Sequence, residues 1–203
     1  MMERVLYNLP IYDMTITDES VGLYTISLVD DPAMEVGWYA FSKDAETETV
    51  SVKCGEIIDE MERKIMVVIC RADFPIIRKD KDGNYIYIQF PKETIKLMSQ
   101  KFLKNGFQGM VNIEHQENSY IQGVEMEQLF IKNVAAGVDP KPFEQIEDGS
   151  LFAVYKVEND DIWNDILNGK FTSVSLEGLF TPVLHQEKKE DPRTLEEFIE
   201  YLK

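Results

Sequence analysis

Short strand-like runs follow one another along this chain with no regular return of helices between them. Within residues 4–29, Tyr24-Thr25-Ile26-Ser27-Leu28-Val29 alternates between two faces and is stopped by Asp30-Asp31-Pro32. Gly37 to Phe41 is apolar and aromatic, and 42–49 is a polar loop pattern. Met66-Val67-Val68-Ile69-Cys70 has the continuous apolar character of a buried strand. Tyr85 to Phe90 follows the Asp82-Gly83 signal of a tight turn. Met110 to Glu114, Gly123 to Ile131, Leu151 to Val157 and Phe171 to Leu176 complete the set.

Three stretches carry helical spacing instead. Pro91 opens the first, where its missing N–H costs little; Ile95, Met98, Phe102 and Leu103 form its apolar side, and Asn105-Gly106 ends it. Asn159 or Asp160 caps the second, with Ile162, Trp163, Ile166 and Leu167 as its stripe and Gly169 as its stop. The third starts at Asp191-Pro192, behind a charged linker at 186–191, and places Leu195, Phe198, Ile199 and Leu202 together. This pattern predicts an α+β domain over 1–184, a mostly antiparallel β-barrel flanked by helices, with 185–203 as charged linker and terminal helix.

The 203 residues are 44% hydrophobic and 11% aromatic, enough for a sizeable core. A formal charge of −16 disfavours nonspecific contact with nucleic acid or an anionic membrane. The two cysteines, Cys54 and Cys70, form no CxxC pair and predict no disulfide framework. Met1-Met2-Glu3-Arg4 has no long apolar run behind it, so no signal peptide is expected, and no apolar stretch is long enough for a membrane helix. His115 and His185 stand far apart in sequence and there is no glycine-rich phosphate loop, so neither a metal nor a cofactor is expected.

Chemistry has few places to sit. His115 ends the run Val111-Asn112-Ile113-Glu114-His115, where alternation puts it on one face with Val111 and Ile113 and turns Glu114 away. A histidine there suits a general base, although a lone strand-end imidazole is ordinarily held by one backbone carbonyl. In Ser173-Val174-Ser175-Leu176-Glu177-Gly178 the two serines share a face, and either hydroxyl needs a base to become nucleophilic. Glu125 and Glu127 share a face of the strand after His115 and could orient the imidazole; Asp30 and Asp31 read as turn residues. A Cys–His pair using Cys54 or Cys70 is conceivable, but Cys70 ends an apolar strand and reads as core.

In order and spacing, the chain from about 20 to 180 resembles the prohead core (capsid maturation) proteases of tailed bacteriophages, a family similar to herpesvirus assemblins. Ile26 to Ala33 resembles the opening strand and its turn. Ile76-Ile77-Arg78-Lys79-Asp80 and Gly83 to Phe90 resemble the next segments, and Pro91 to Ile95 the helix start. Val111 to His115 resembles the segment with the catalytic histidine, and Val124 to Ile131 the strand after it. Ser173 to Gly178 resembles the block that carries the nucleophile, although Ser173 stands where the family has glycine.

The resemblance implies a serine endopeptidase with Ser175 as nucleophile and His115 as base. Glu127 is the orienting acid in one register, Glu125 in the other, and His185 is an assemblin-like third choice. It further implies an assemblin-like barrel, and viral scaffolding and capsid proteins as substrates, with self-cleavage. The site of action would be the prohead in the host cytoplasm. Self-association is left open. The alternative is an inactive capsid-assembly protein that keeps the fold.

Overall fold

The computed structural model describes residues 9–17, 22–29, 55–116, 120–141 and 143–186. The strand expected at 37–41, the loop at 42–49, the Asp30-Asp31-Pro32 turn, Cys54 and the helix from Asp191 lie outside the described residues, as does most of the charged linker.

Eleven strands and two α-helices occur among the described residues. The strands are β1 (Ile11–Thr15), β2 (Gly22–Val29), β3 (Gly55–Asp59), β4 (Lys64–Cys70), β5 (Ile76–Lys79), β6 (Tyr85–Gln89), β7 (Val111–Ile113), β8 (Val124–Ile131), β9 (Leu151–Val157), β10 (Ser173–Leu179) and β11 (Thr181–Leu184). The helices are α1 (Lys92–Lys104) and α2 (Asp160–Leu167). This is an α+β fold with mostly antiparallel sheets. The strands form three sheets, in the orders β11-β1-β6-β5, β10-β2-β7 and β3-β4-β9-β8. Among the described strands, β1–β6 and β2–β7 pair in parallel and the other pairs are antiparallel.

The expected barrel is not found: no sheet closes on itself among the described residues. β10 packs beside β4, but β4 already bonds β3 on one side and β9 on the other. Both ladder edges of β4 are therefore taken, and β10 forms no ladder with it.

Local sequence explains the elements near the site. Asp80 Oδ1 accepts the N–H groups of Asp82 and Asn84, and Gly83 takes a positive φ of 85°, so the chain reverses between β5 and β6. Pro91 caps α1, and Ile95, Met98 and Phe102 bury its inner side. Leu103, expected beside them, is exposed, because one residue past Phe102 is about 100° around the helix. Asn159 Oδ1 accepts the Ile162 N–H at 3.1 Å and starts α2. Ile162 and Trp163 are buried there, while Leu167 is exposed.

One core joins the sheets and helices. Ile26 and Leu28 of β2, Ile65, Val67 and Ile69 of β4, and Leu151, Ala153 and Tyr155 of β9 pack with Met98 and Phe102 of α1 and with Trp163 of α2. Each buried Leu, Ile, Val, Met or Phe side chain there contributes roughly 1.5–3 kcal/mol. This core fixes the β10-β2-β7 sheet, and that sheet carries the site.

Candidate active site

The cross-strand register of β10-β2-β7 sorts its residues into rows. Val174, Leu28 and Ile113 form one row, and Leu176, Ile26 and Val111 another; all six belong to or pack on the core. Between them lies a row of opposite facing: Ser175, Ser27 and Asn112. Partners in register share a face, so these three polar side chains stand together on the side away from the apolar rows. Ser173 and Glu177, two residues to either side of Ser175, join them, as does Thr25, the register partner of Glu177.

His115 reaches this face by a turn. β7 ends at Ile113, and Glu114 and His115 both take positive φ, 47° and 56°. The Gln116 N–H closes the turn on Ile113 O at 2.9 Å. Two consecutive left-handed non-glycine residues are costly, and such strain concentrates at functional positions. Strand alternation would have left His115 with Val111 and Ile113. The left-handed pair instead brings the imidazole to the Asn112 side.

There its Nδ1 lies 3.0 Å from Glu177 Oε1 and 3.1 Å from Ser27 Oγ. Ser27 Oγ is 2.5 Å from both Glu177 Oε1 and Asn112 Oδ1, and its one proton can serve only one of them at a time. Asn112 Nδ2 donates to Glu177 Oε1 at 3.0 Å. Burial pushes the Glu177 pKa up, but hydrogen bonds from Ser27, Asn112 and His115, with the His115 charge, outweigh it and hold the carboxyl below its ordinary range. The His115 side chain is 45% exposed, whereas Ser27 is fully buried and Ser175 is 9% exposed. With Nδ1 turned to the carboxylate, Nε2 is the nitrogen left for proton transfer.

The other expected acids are elsewhere. Glu127 lies on β8, in the β3-β4-β9-β8 sheet, with Oε2 3.0 Å from Lys64 Nζ. Glu125 lies on the same strand and is exposed. His185 sits beside β1, its Nδ1 within 2.9–3.0 Å of both Asp13 carboxylate oxygens and 3.1 Å from Gln89 Nε2. Cys70 is core, and burial pushes its thiol pKa far up, which removes its thiolate from chemistry near neutral pH. Among the described residues no group of three or more His, Cys, Asp or Glu could hold a metal ion, and no helix is long and apolar enough to cross a membrane.

Three members of the cluster, Ser27, Asn112 and Glu177, were not foreseen as site residues. Glu177 had a usable signal, since it follows Ser175 by two positions and period-two alternation puts both on one face. Ser27 and Asn112 had none, because their meeting depends on which strands pair.

No curated protein and no solved structure matches the chain. A family model does match, over residues 75–182. That stretch is just over half of the 203 residues and contains Asn112, His115, Ser175 and Glu177. By that match the chain belongs to the family described as "Putative phage serine protease XkdF".

Proposed function

We propose that the protein is a serine endopeptidase in which Ser175 attacks, His115 is the base and Glu177 orients the base. The observation that carries this reading is the carboxylate held at His115 Nδ1, 3.0 Å away, on the face that also bears Ser175. In such an arrangement His115 Nε2 takes the Ser175 proton as Oγ adds to the scissile carbonyl. The imidazolium that forms is stabilised by Glu177, then protonates the leaving amine, and water clears the acyl-enzyme. Glu177 takes the place that sequence reasoning gave to Glu127, because Glu127 is engaged with Lys64 on another sheet.

Ser27 Oγ is the hydroxyl seen in contact with His115, so a second assignment makes Ser27 the nucleophile. Its full burial argues against this, since a peptide carbonyl would have to reach a side chain with no exposed surface.

We read the substrates as phage scaffolding and capsid proteins, and the chain itself, cut inside the prohead in the host cytoplasm. Membership of a phage serine protease family supports the setting, and the likeness to capsid maturation proteases supports the substrates.

The test is labelling with a fluorophosphonate, followed by peptide mapping, alongside co-expression with the major capsid and scaffolding proteins. The label is expected on Ser175, and Ser175→Ala is expected to abolish both labelling and processing. A label on Ser27 would move the nucleophile. Processing that continues unchanged in Ser175→Ala, with no label on Ser27, would end the protease reading in favour of an assembly protein that keeps the fold.

A further inference from the structure

Resting on that reading of the site, we propose that Ser27 and Asn112 are positioning residues that hold the Glu177 carboxylate against His115 Nδ1, so that Nε2 is presented to Ser175. Neither residue is placed to meet substrate: Ser27 is fully buried and Asn112 nearly so. Their groups point instead at one atom. Glu177 Oε1 faces the Ser27 hydroxyl at 2.5 Å, the Asn112 amide at 3.0 Å and His115 Nδ1 at 3.0 Å.

Each contact has a consequence. With the Ser27 proton directed to Glu177 rather than to Asn112 Oδ1, the carboxylate oxygen accepts two donors besides His115, and the direction of the Nδ1–H bond is set before substrate arrives. The donors also favour the ionised form against burial, in line with the lowered Glu177 pKa. Asn112 Oδ1, at 2.5 Å from Ser27 Oγ, limits where that hydroxyl can sit. The three residues come from β2, β7 and β10, so the bracket exists only when the sheet is assembled. No other titratable side chain is in hydrogen-bond or ion-pair contact with Glu177 among the described residues.

The experiment is a pH titration of the two histidine rings by NMR on the full chain, with the rate of fluorophosphonate labelling at Ser175 measured beside it. The His115 ring signals should report a step at low pH, when Glu177 takes a proton. Ser27→Ala and Asn112→Leu should each move that step up by about one pH unit and slow labelling about tenfold, while His185 stays unchanged as an internal control. Ser27→Thr, which keeps the hydroxyl, should restore both readings. Thermal melting confirms that each variant is folded, and Asn112→Leu stands in if Ser27→Ala is not.

Folded variants whose low-pH step does not move would overturn the proposal. Failure of the protease reading would look different: the parent protein would take no label, or take it elsewhere than Ser175, while the ring titration would still judge the bracket.

Discussion

The protein holds two histidines, and each has a carboxylate at Nδ1. His185 lies between both oxygens of Asp13, with Gln89 Nε2 beside it and donating to the same Asp13. Its backbone N–H bonds Ile11 O, so the cluster fastens the end of β11 to β1 and β6. His115 lies at a single oxygen of Glu177, on a left-handed turn, beside a row of hydroxyls. A histidine–carboxylate pair is thus not a sign of catalysis by itself. The first pair ties strands together on a relaxed backbone. The second sits on a strained backbone and leaves its imidazole 45% exposed, at the Ser27 hydroxyl whose register partner is Ser175.

The contrast is broken most sharply at the imidazoles. His115→Ala should lower fluorophosphonate labelling of Ser175 by roughly three orders of magnitude, since an unactivated serine loses nearly all its reactivity. His185→Ala should leave labelling within about twofold and cost about 1 kcal/mol of stability by denaturant melting. Equal loss of labelling in both variants would show that His185 belongs to the chemistry, and the distinction between the clusters would fall.

The strands and helices were readable because their signals are local. α2 has its cap at Asn159, its stripe and its stop within about ten residues. Sheet order was not readable: β2 pairs β7 in parallel across more than 80 residues, and nothing in Ser27 or Asn112 announces that the two will share a row. The expected barrel is not found among the described residues, and alternation could not decide it, since it shows that a run is a strand but not whether its neighbour has a free edge. Alternation puts His115 on the face of Val111 and Ile113, whereas its ring meets Ser27 and Glu177. Alternation holds only while a strand continues, and here it stops at Ile113. The placing of Glu177 beside Ser175 is legible in principle from the spacing Ser175-Leu176-Glu177, whereas the choice of Glu127 over Glu125 rests on likeness to a family segment.

The carboxylates give the next test. Glu177→Gln should slow labelling by roughly a hundredfold or more, because the amide can donate to Nδ1 and so favour the wrong tautomer. Asp13→Asn should leave labelling unaltered and report only in melting temperature. The pH dependence has a definite sign. The Glu177 pKa is lowered in the fold relative to its ordinary value of 4.5. The stability it contributes is therefore complete well above pH 4.5 and lost as pH falls through the lower, folded value. Glu177→Gln should flatten that acidic fall in melting temperature. A fall of the same steepness would mean that the ionised carboxylate is not held as described.

The smallest expected effect separates two hydroxyls on the same polar face. Ser27 Oγ has partners in Asn112, Glu177 and His115, whereas Thr25 Oγ1 is buried with no hydrogen-bond partner among the described residues. An unmet buried hydroxyl costs stability, and replacing it by a methyl of the same shape removes that cost. Thr25→Val should therefore stabilise the fold by about 1 kcal/mol. Ser27→Ala should destabilise it by a similar amount or more, since it strips a donor from a buried carboxylate. Denaturant melts of the two variants read this directly. If Thr25→Val proved destabilising, its hydroxyl would have a partner after all, and the hydrogen-bonded cluster would extend past the Ser175–Ser27–Asn112 row to Thr25. If it is stabilising, the chain keeps a hydroxyl there at the expense of stability, while the groups that touch His115 are the ones the fold has satisfied.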